Sequence, residues 1–169
     1  MSISNLDKIL DKFARRVVKE SKTALTKKKK NASKSLYNSI GYDLDIHKNS
    51  FHLSFQMEDY GKFIDKGVKG VGGNGWKKKK VDNNLYKYTN KRPPHEAFNG
   101  WTIKRSIAPR NKKGQFTSRK SILFAIANSV YHTGLETTNF FTKPLRNALR
   151  SLPDEVVNAY GLDIDKFIK

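Results

Sequence analysis

The hydrophobic period of the chain changes near residue 39, from helical to alternating, and that change limits the kind of fold open to it. Over residues 4–25, Leu6, Ile9, Leu10, Phe13, Val17 and Val18 recur three or four positions apart and line one face of an amphipathic helix. Ser4 stands where an N-cap belongs, and Asp7 lies in the first turn, where the helix dipole favours an acid. From Ser39 the period is two: Ile40, Tyr42, Leu44 and Ile46 alternate with Gly41, Asp43, Asp45 and His47. After Lys48, Asn49 and Ser50 the alternation resumes as Phe51, Leu53, Phe55 and Met57. Two alternating runs about a short polar turn predict a β-hairpin with one buried face. The helix, roughly 33 Å long at ~1.5 Å per residue, is the natural cover for that face.

The rest of the chain is less regular. Residues 58–66 return to helical spacing, with Tyr60, Phe63 and Ile64 on one side and Gly67 as a stop. Five glycines then fall within positions 67–75, where neither helix nor strand is expected. Leu85, Tyr86 and Tyr88 suggest a short strand. Pro93 and Pro94 open a helix whose stripe is Ala97, Phe98, Trp101 and Ile107. Residues 109–120 read as a polar loop around Gly114, and residues 121–133 as a clear helix ended by Gly134. Residues 139–144 read as an extended connector, because Pro144 disfavours the α region before it. Helices are expected over residues 144–152 and 154–160. The fold class expected is α+β in a single domain spanning residues 1–169. It comprises a small antiparallel β-sheet packed against a long N-terminal helix and C-terminal helices, with a long basic Gly/Lys-rich loop. Residues 67–80 and 108–120 are expected to be flexible or interface loops.

Charge supplies the functional lead. The chain carries 34 Lys+Arg against 15 Asp+Glu, a net +19, and residues 61–120 alone hold 17 against 3, a net +14. Self-repulsion of that size opposes compaction, so a polyanionic neighbour is expected. The candidate contacts are Lys27, Lys28, Lys29 and Lys30, then Lys77, Lys78, Lys79 and Lys80, then Arg110, Lys112 and Lys113, with Arg119 and Lys120 beside them. A phosphate-binding surface, a contact for an acidic protein and solvated loops all fit such runs.

Reaction chemistry has little support. The absence of cysteine excludes disulfides, thiolate catalysis and Cys-based metal sites. The four histidines, His47, His52, His95 and His132, include no pair at metal-binding helical spacing, although His47 and His52 flank the hairpin turn. Glu58 and Asp59 read as helix-start acids, and with Asp65 they do not form a convincing catalytic pair. The glycine loop lacks the Gly-Lys-Ser/Thr ending of a phosphate loop. Trp76, Tyr86, Tyr88, Phe98 and Trp101 beside lysines suggest only a weak base-stacking platform. No enzyme, cofactor, metal, secretory leader or membrane span is expected.

The order of features resembles the head–tail joining or tail-completion (neck) family of tailed bacteriophages. A long helix leads into a Leu-x-x-Ser-Ile step, here Leu36, Tyr37, Asn38, Ser39 and Ile40, and then into the hairpin. An aromatic–small–x–aromatic–x–acid stretch ending at glycine is matched by Tyr60, Gly61, Lys62, Phe63, Ile64, Asp65, Lys66 and Gly67. A Phe-x-x-Pro-Leu element before a final helix is matched by Phe141, Thr142, Lys143, Pro144 and Leu145. Asp65 stands where the family has glutamate, Val68 where threonine is common, and the stretch from 67 to 120 is long. The resemblance implies a structural virion protein in the neck or tail. It would form a homo-oligomeric ring of six or twelve copies joining head and tail around the DNA channel. Its partners would be portal or adaptor and tail proteins, and packaged DNA, with no catalysis and no membrane. Under that reading the subunit interface would include Tyr60, Phe63, Ile64, Trp76, Phe140, Phe141, Pro144 and Leu145. The alternative is a free basic nucleic-acid-binding protein.

Overall fold

The structure, a computed structural model, describes residues 5–30, 33–47, 50–73 and 75–158. The expected N-cap Ser4, the turn residues Lys48 and Asn49, Asn74 of the glycine stretch, and the last two positions of the helix expected at 154–160 lie outside the described residues. The protein is mixed α+β, with a long N-terminal helix and two two-stranded antiparallel sheets. Its residues group into two compact units: 1–30 with 35–58 and 140–169 in the first, and 31–34 with 59–139 in the second.

The first unit follows from the period change. Helix α1 (Asn5–Lys27) buries Leu10, Phe13, Ala14, Val17, Ser21 and Leu25, the stripe that three- and four-residue spacing selects. A short helix α2 (Ser35–Ser39), with Leu36 buried, leads into the hairpin of β1 (Gly41–His47) and β2 (Ser50–Gln56). The register pairs Tyr42 with Phe55 and Leu44 with Leu53, so these four share one face. Leu53 and Phe55 pack against Phe13 and Val17 of α1, together with Leu145 and Ala148 of α6 (Thr142–Leu149). Phe55 meets Phe13 and Phe141 edge-on, at centroid distances of 6.4 and 5.4 Å. The expected connector at 139–144 is therefore corrected. The chain turns at Phe140 and Phe141, and α6 starts at Thr142 with Pro144 in its first turn. Proline is tolerated there because the first N–H groups of a helix have no intrahelical partner to lose. Residues 152–158 are again helical.

Between the hairpin and α1 the Tyr42 hydroxyl donates to Asp11 at 2.5 Å, and Arg15 donates to the same carboxylate at 2.7 Å. The Tyr42 hydrogen bond, and after it the Arg15 guanidinium, hold the Asp11 carboxyl below its ordinary 3.8. A lowered acid contributes stability that is complete above the unfolded value and is lost as pH falls through the folded one. Tyr42→Phe is expected to move the Asp11 midpoint back up toward 3.8, read by carboxyl-carbon NMR titration. An unchanged midpoint would assign the shift to Arg15 alone.

The second unit has a thinner apolar core. It holds α3 (Gly61–Lys66), a two-residue ladder of β3 (Val68–Lys69) with β4 (Gly134–Leu135), a 3-10 turn (His95–Phe98), α4 (Asn99–Lys104) and α5 (Arg119–Thr133). Helix α3 begins later than expected, since the Glu58 amide is instead held by the Ser39 hydroxyl at 3.0 Å. The expected strand at Leu85–Tyr88 reduces to a single parallel bridge, Lys69 with Lys87. The stripe expected at Ala97, Phe98, Trp101 and Ile107 is not a core face: in α4 it is Thr102 that is buried, while Trp101 and Ile103 are exposed. Of the α5 stripe only Leu123 and Ala127 are fully buried. Among the described residues no helix is long and apolar enough to cross a membrane.

Candidate polyanion-binding surface

The basic surface is built on the glycine-rich stretch. Val68 and Lys69 pair with Leu135 and Gly134, where the sequence suggested neither helix nor strand. The glycines make that approach feasible. A Cβ at Gly67 would stand 2.6 Å from the Leu135 carbonyl oxygen, and one at Gly70 would stand 2.5 Å from the Gly134 amide nitrogen. Gly134 itself has φ +83° and would press a Cβ onto the Val68 carbonyl. Gly67 and Gly70 thus serve close backbone approach, whereas a Cβ at Gly75 would meet nothing within 4 Å.

The following residues are tied to the end of α5. Val71 and Gly72 amides donate to the Tyr131 and His132 carbonyls at 3.1 and 3.0 Å, and the Lys79 amide donates to the Thr133 carbonyl at 2.8 Å. The Lys80 carbonyl accepts from the Thr137 amide, and the Asp82 amide donates to the Thr137 hydroxyl. Lys77, Lys78, Lys79 and Lys80 are therefore displayed from a hydrogen-bonded backbone, and all four are exposed. Among the described residues, none of their ammonium groups has a carboxylate within salt-bridge reach.

Beside them lies an aromatic series that the sequence does not announce. Trp76 stacks on His132 at 5.3 Å with planes 12° apart, and His132 meets Tyr131 edge-on. Tyr131 lies against Tyr88 and under Arg92, and burial pushes the Tyr88 hydroxyl pKa up. The Trp76–His132, Tyr88–Tyr131 and Arg92–Tyr131 contacts span 56, 43 and 39 positions of chain, so no local pattern reveals them.

A second cluster precedes α5. Arg110 and Phe116 form an antiparallel bridge, with the Arg110 guanidinium 4.0 Å from the Phe116 ring centroid. Asn111 caps the turn by accepting from the Lys113 and Gln115 amides, which leaves Lys112 and Lys113 exposed at a compact tip. Arg119 and Lys120 then open α5 behind the N-cap Ser118. Cations at that end add to the positive pole of the helix instead of offsetting it. The two clusters flank opposite ends of α5, whose length is roughly 21 Å. They are two patches, not one.

The third run belongs to the first unit. The Lys30 amide donates to the Leu25 carbonyl and the Lys29 amide to the Thr26 carbonyl, a Schellman ending with Lys29 at the left-handed position, φ 54°. Glycine is usual there, and a side chain costs about 1–2 kcal/mol. Lys27, Lys28, Lys29 and Lys30 are all exposed.

The expected subunit-contact residues divide. Phe140 and Pro144 are fully buried and have no surface to offer, which removes them from an interface. Phe141 and Leu145 face the first unit's own core. Phe63 is half-buried against Tyr86 at 4.9 Å, and Ile64 is half-buried. Tyr60 and Trp76 remain exposed. Asp65 is buried, with its main-chain carbonyl accepting from the Thr138 and Asn139 amides. His47 and His52 are not paired directly, because the register sets them opposite Ser50 and Asp45. Among the described residues no group of three His, Asp or Glu is placed to hold a metal ion. No protein-family model, curated protein or solved structure matches the chain.

Proposed function

We propose that this chain is a structural assembly subunit that presents a fixed basic surface to a polyanion. Its setting would be the one the resemblance implies, a neck or tail-completion ring around the DNA channel of a tailed phage. The observation that carries the reading is the second unit. It holds 18 Lys+Arg against 5 Asp+Glu, and its lysines 77–80 stand, among the described residues, without carboxylate partners on a backbone hydrogen-bonded to the end of α5. A cationic row on a hydrogen-bonded backbone suits a regular anionic surface, because little backbone ordering at Lys79 and Lys80 remains to be lost on contact. Exposed Tyr60 and Trp76 supply the apolar anchors that a subunit contact needs.

Two measurements test it. Mass determination and negative-stain imaging, with head and tail partners supplied, should give a closed ring, and a strict monomer under those conditions overturns the assembly role. Replacing lysines 77–80 by alanine should leave the melting temperature unchanged and lower the salt dependence of duplex DNA binding. At ~0.9 per neutralised phosphate, the log–log slope should fall by about 3 to 4. DNA binding without assembly would favour a free nucleic-acid-binding protein.

A further inference from the structure

The first unit contains a basic groove that the reading above does not use. It runs along α1 opposite α2 and the start of β1, and encloses about 580 Å³. Arg15, Lys19, Lys22 and Lys27 line the helix side, and Tyr37 and Tyr42 the other. Among the described residues no carboxylate lines it. Asp11 lies at one end, where it takes up Arg15 and the Tyr42 hydroxyl. Lys19, Lys22 and Lys27 have no carboxylate within salt-bridge reach among the described residues. Lys22 instead lies over the Tyr37 ring at 5.3 Å.

From this arrangement we infer that the α1 groove binds single-stranded nucleic acid. Phosphates would lie along the lysines and unpaired bases against the two tyrosines. The cations recur at three to five positions along one helix, so they form a row of roughly 18 Å from Arg15 to Lys27. That length is close to the shortest single-strand sites, about 4 nucleotides. A cationic wall facing aromatic rings matches a strand that carries phosphate on one edge and base on the other. Duplex DNA hides its base faces in the stack and would leave the tyrosines unused, and an acidic peptide has no flat ring to lay on them. The Asp11 hydrogen bond holds Tyr42 at the wall, so the groove does not depend on ligand to keep its shape. Lys22 already sits on Tyr37 as a cation, and a base arriving on that ring would free the ammonium for the adjacent phosphate.

Fluorescence anisotropy with a labelled oligo-dT, the full chain and a salt series tests the assignment. Lys19→Ala with Lys22→Ala should weaken binding at least tenfold near 50 mM salt and reduce the slope by about 1.4, at ~0.7 per phosphate for single strands. Tyr37→Leu should weaken binding several-fold without changing the slope, because stacking releases no counterions. Melting curves for each variant confirm that the fold is retained. The alanine variant of lysines 77–80 should keep these changes intact, which separates this site from the surface proposed above. Unchanged oligo-dT affinity in the double variant overturns the assignment. So does full affinity in Tyr37→Leu, or equal binding of a matched duplex or of polyglutamate that is lost with the same two lysines.

Discussion

Phe13→Ala is expected to destabilise the first unit by ~3–5 kcal/mol, the usual cost of removing a buried phenyl ring from a packed site. Phe13 is 7% exposed and touches both other parts of its core, with Phe55 from the hairpin edge-on at 6.4 Å and Ala148 of α6 beside it. Its neighbours come from three separated stretches of chain, so none can shift alone to refill the space. Chemical denaturation followed by far-ultraviolet circular dichroism reads the effect. A loss below about 1 kcal/mol would mean that the core lies elsewhere.

Gly134→Ala should be comparably severe for the second unit. The added Cβ meets two penalties at once. The backbone at φ +83° costs a non-glycine residue about 1–3 kcal/mol, and the Cβ would overlap the Val68 carbonyl and stand 2.6 Å from the Gly70 amide nitrogen. Both neighbours are main chain, so no side chain can swing aside, and overpacking adds about 1–3 kcal/mol more. The expected result is loss of the Val68–Leu135 pairing and of amide-exchange protection at Val71, Gly72 and Lys79, whose donors depend on that alignment. Gly75→Ala is the control. Its φ is also positive, but its Cβ would meet nothing within 4 Å. Equal effects from the two substitutions would show that close approach is not what Gly134 provides.

The elements that could be read from the chain are those whose signal is local. The α1 stripe, the alternation of β1 and β2, and the stops at Gly67 and Gly134 each depend on residues within a turn or two of one another. The Val68–Lys69 strand could not be read, because its partner residues lie 65 and 67 positions downstream and two residues carry no period. Glycine compounds the ambiguity, since freedom and close approach are written with the same letter. Pro144 misled for a related reason: its bias acts on the preceding residue, yet a helix's first turn accepts it. For the basic surface, the lysine runs were legible as charge. Their fixing to α5 was not, because the Thr133 and Thr137 anchors are distant in sequence. The α1 groove is not legible in the sequence, because Lys19 and Lys22 look like an ordinary solvated helix face until Tyr37 and Tyr42 are set across from them.

The first unit closes only when α6 joins α1 and the hairpin, and that has a consequence for synthesis on the ribosome. Phe13 emerges 135 positions before Ala148. At ~5–20 residues per second, the nascent helix would wait roughly 7–27 s, and the hairpin from Phe55 roughly 5–19 s, with an uncovered oily face. The stretch from 59 to 139 is continuous and can fold during that pause. A stalled chain ending before α6 should therefore recruit holdase chaperones to its oldest segment, although that segment carries the longest helix among the described residues.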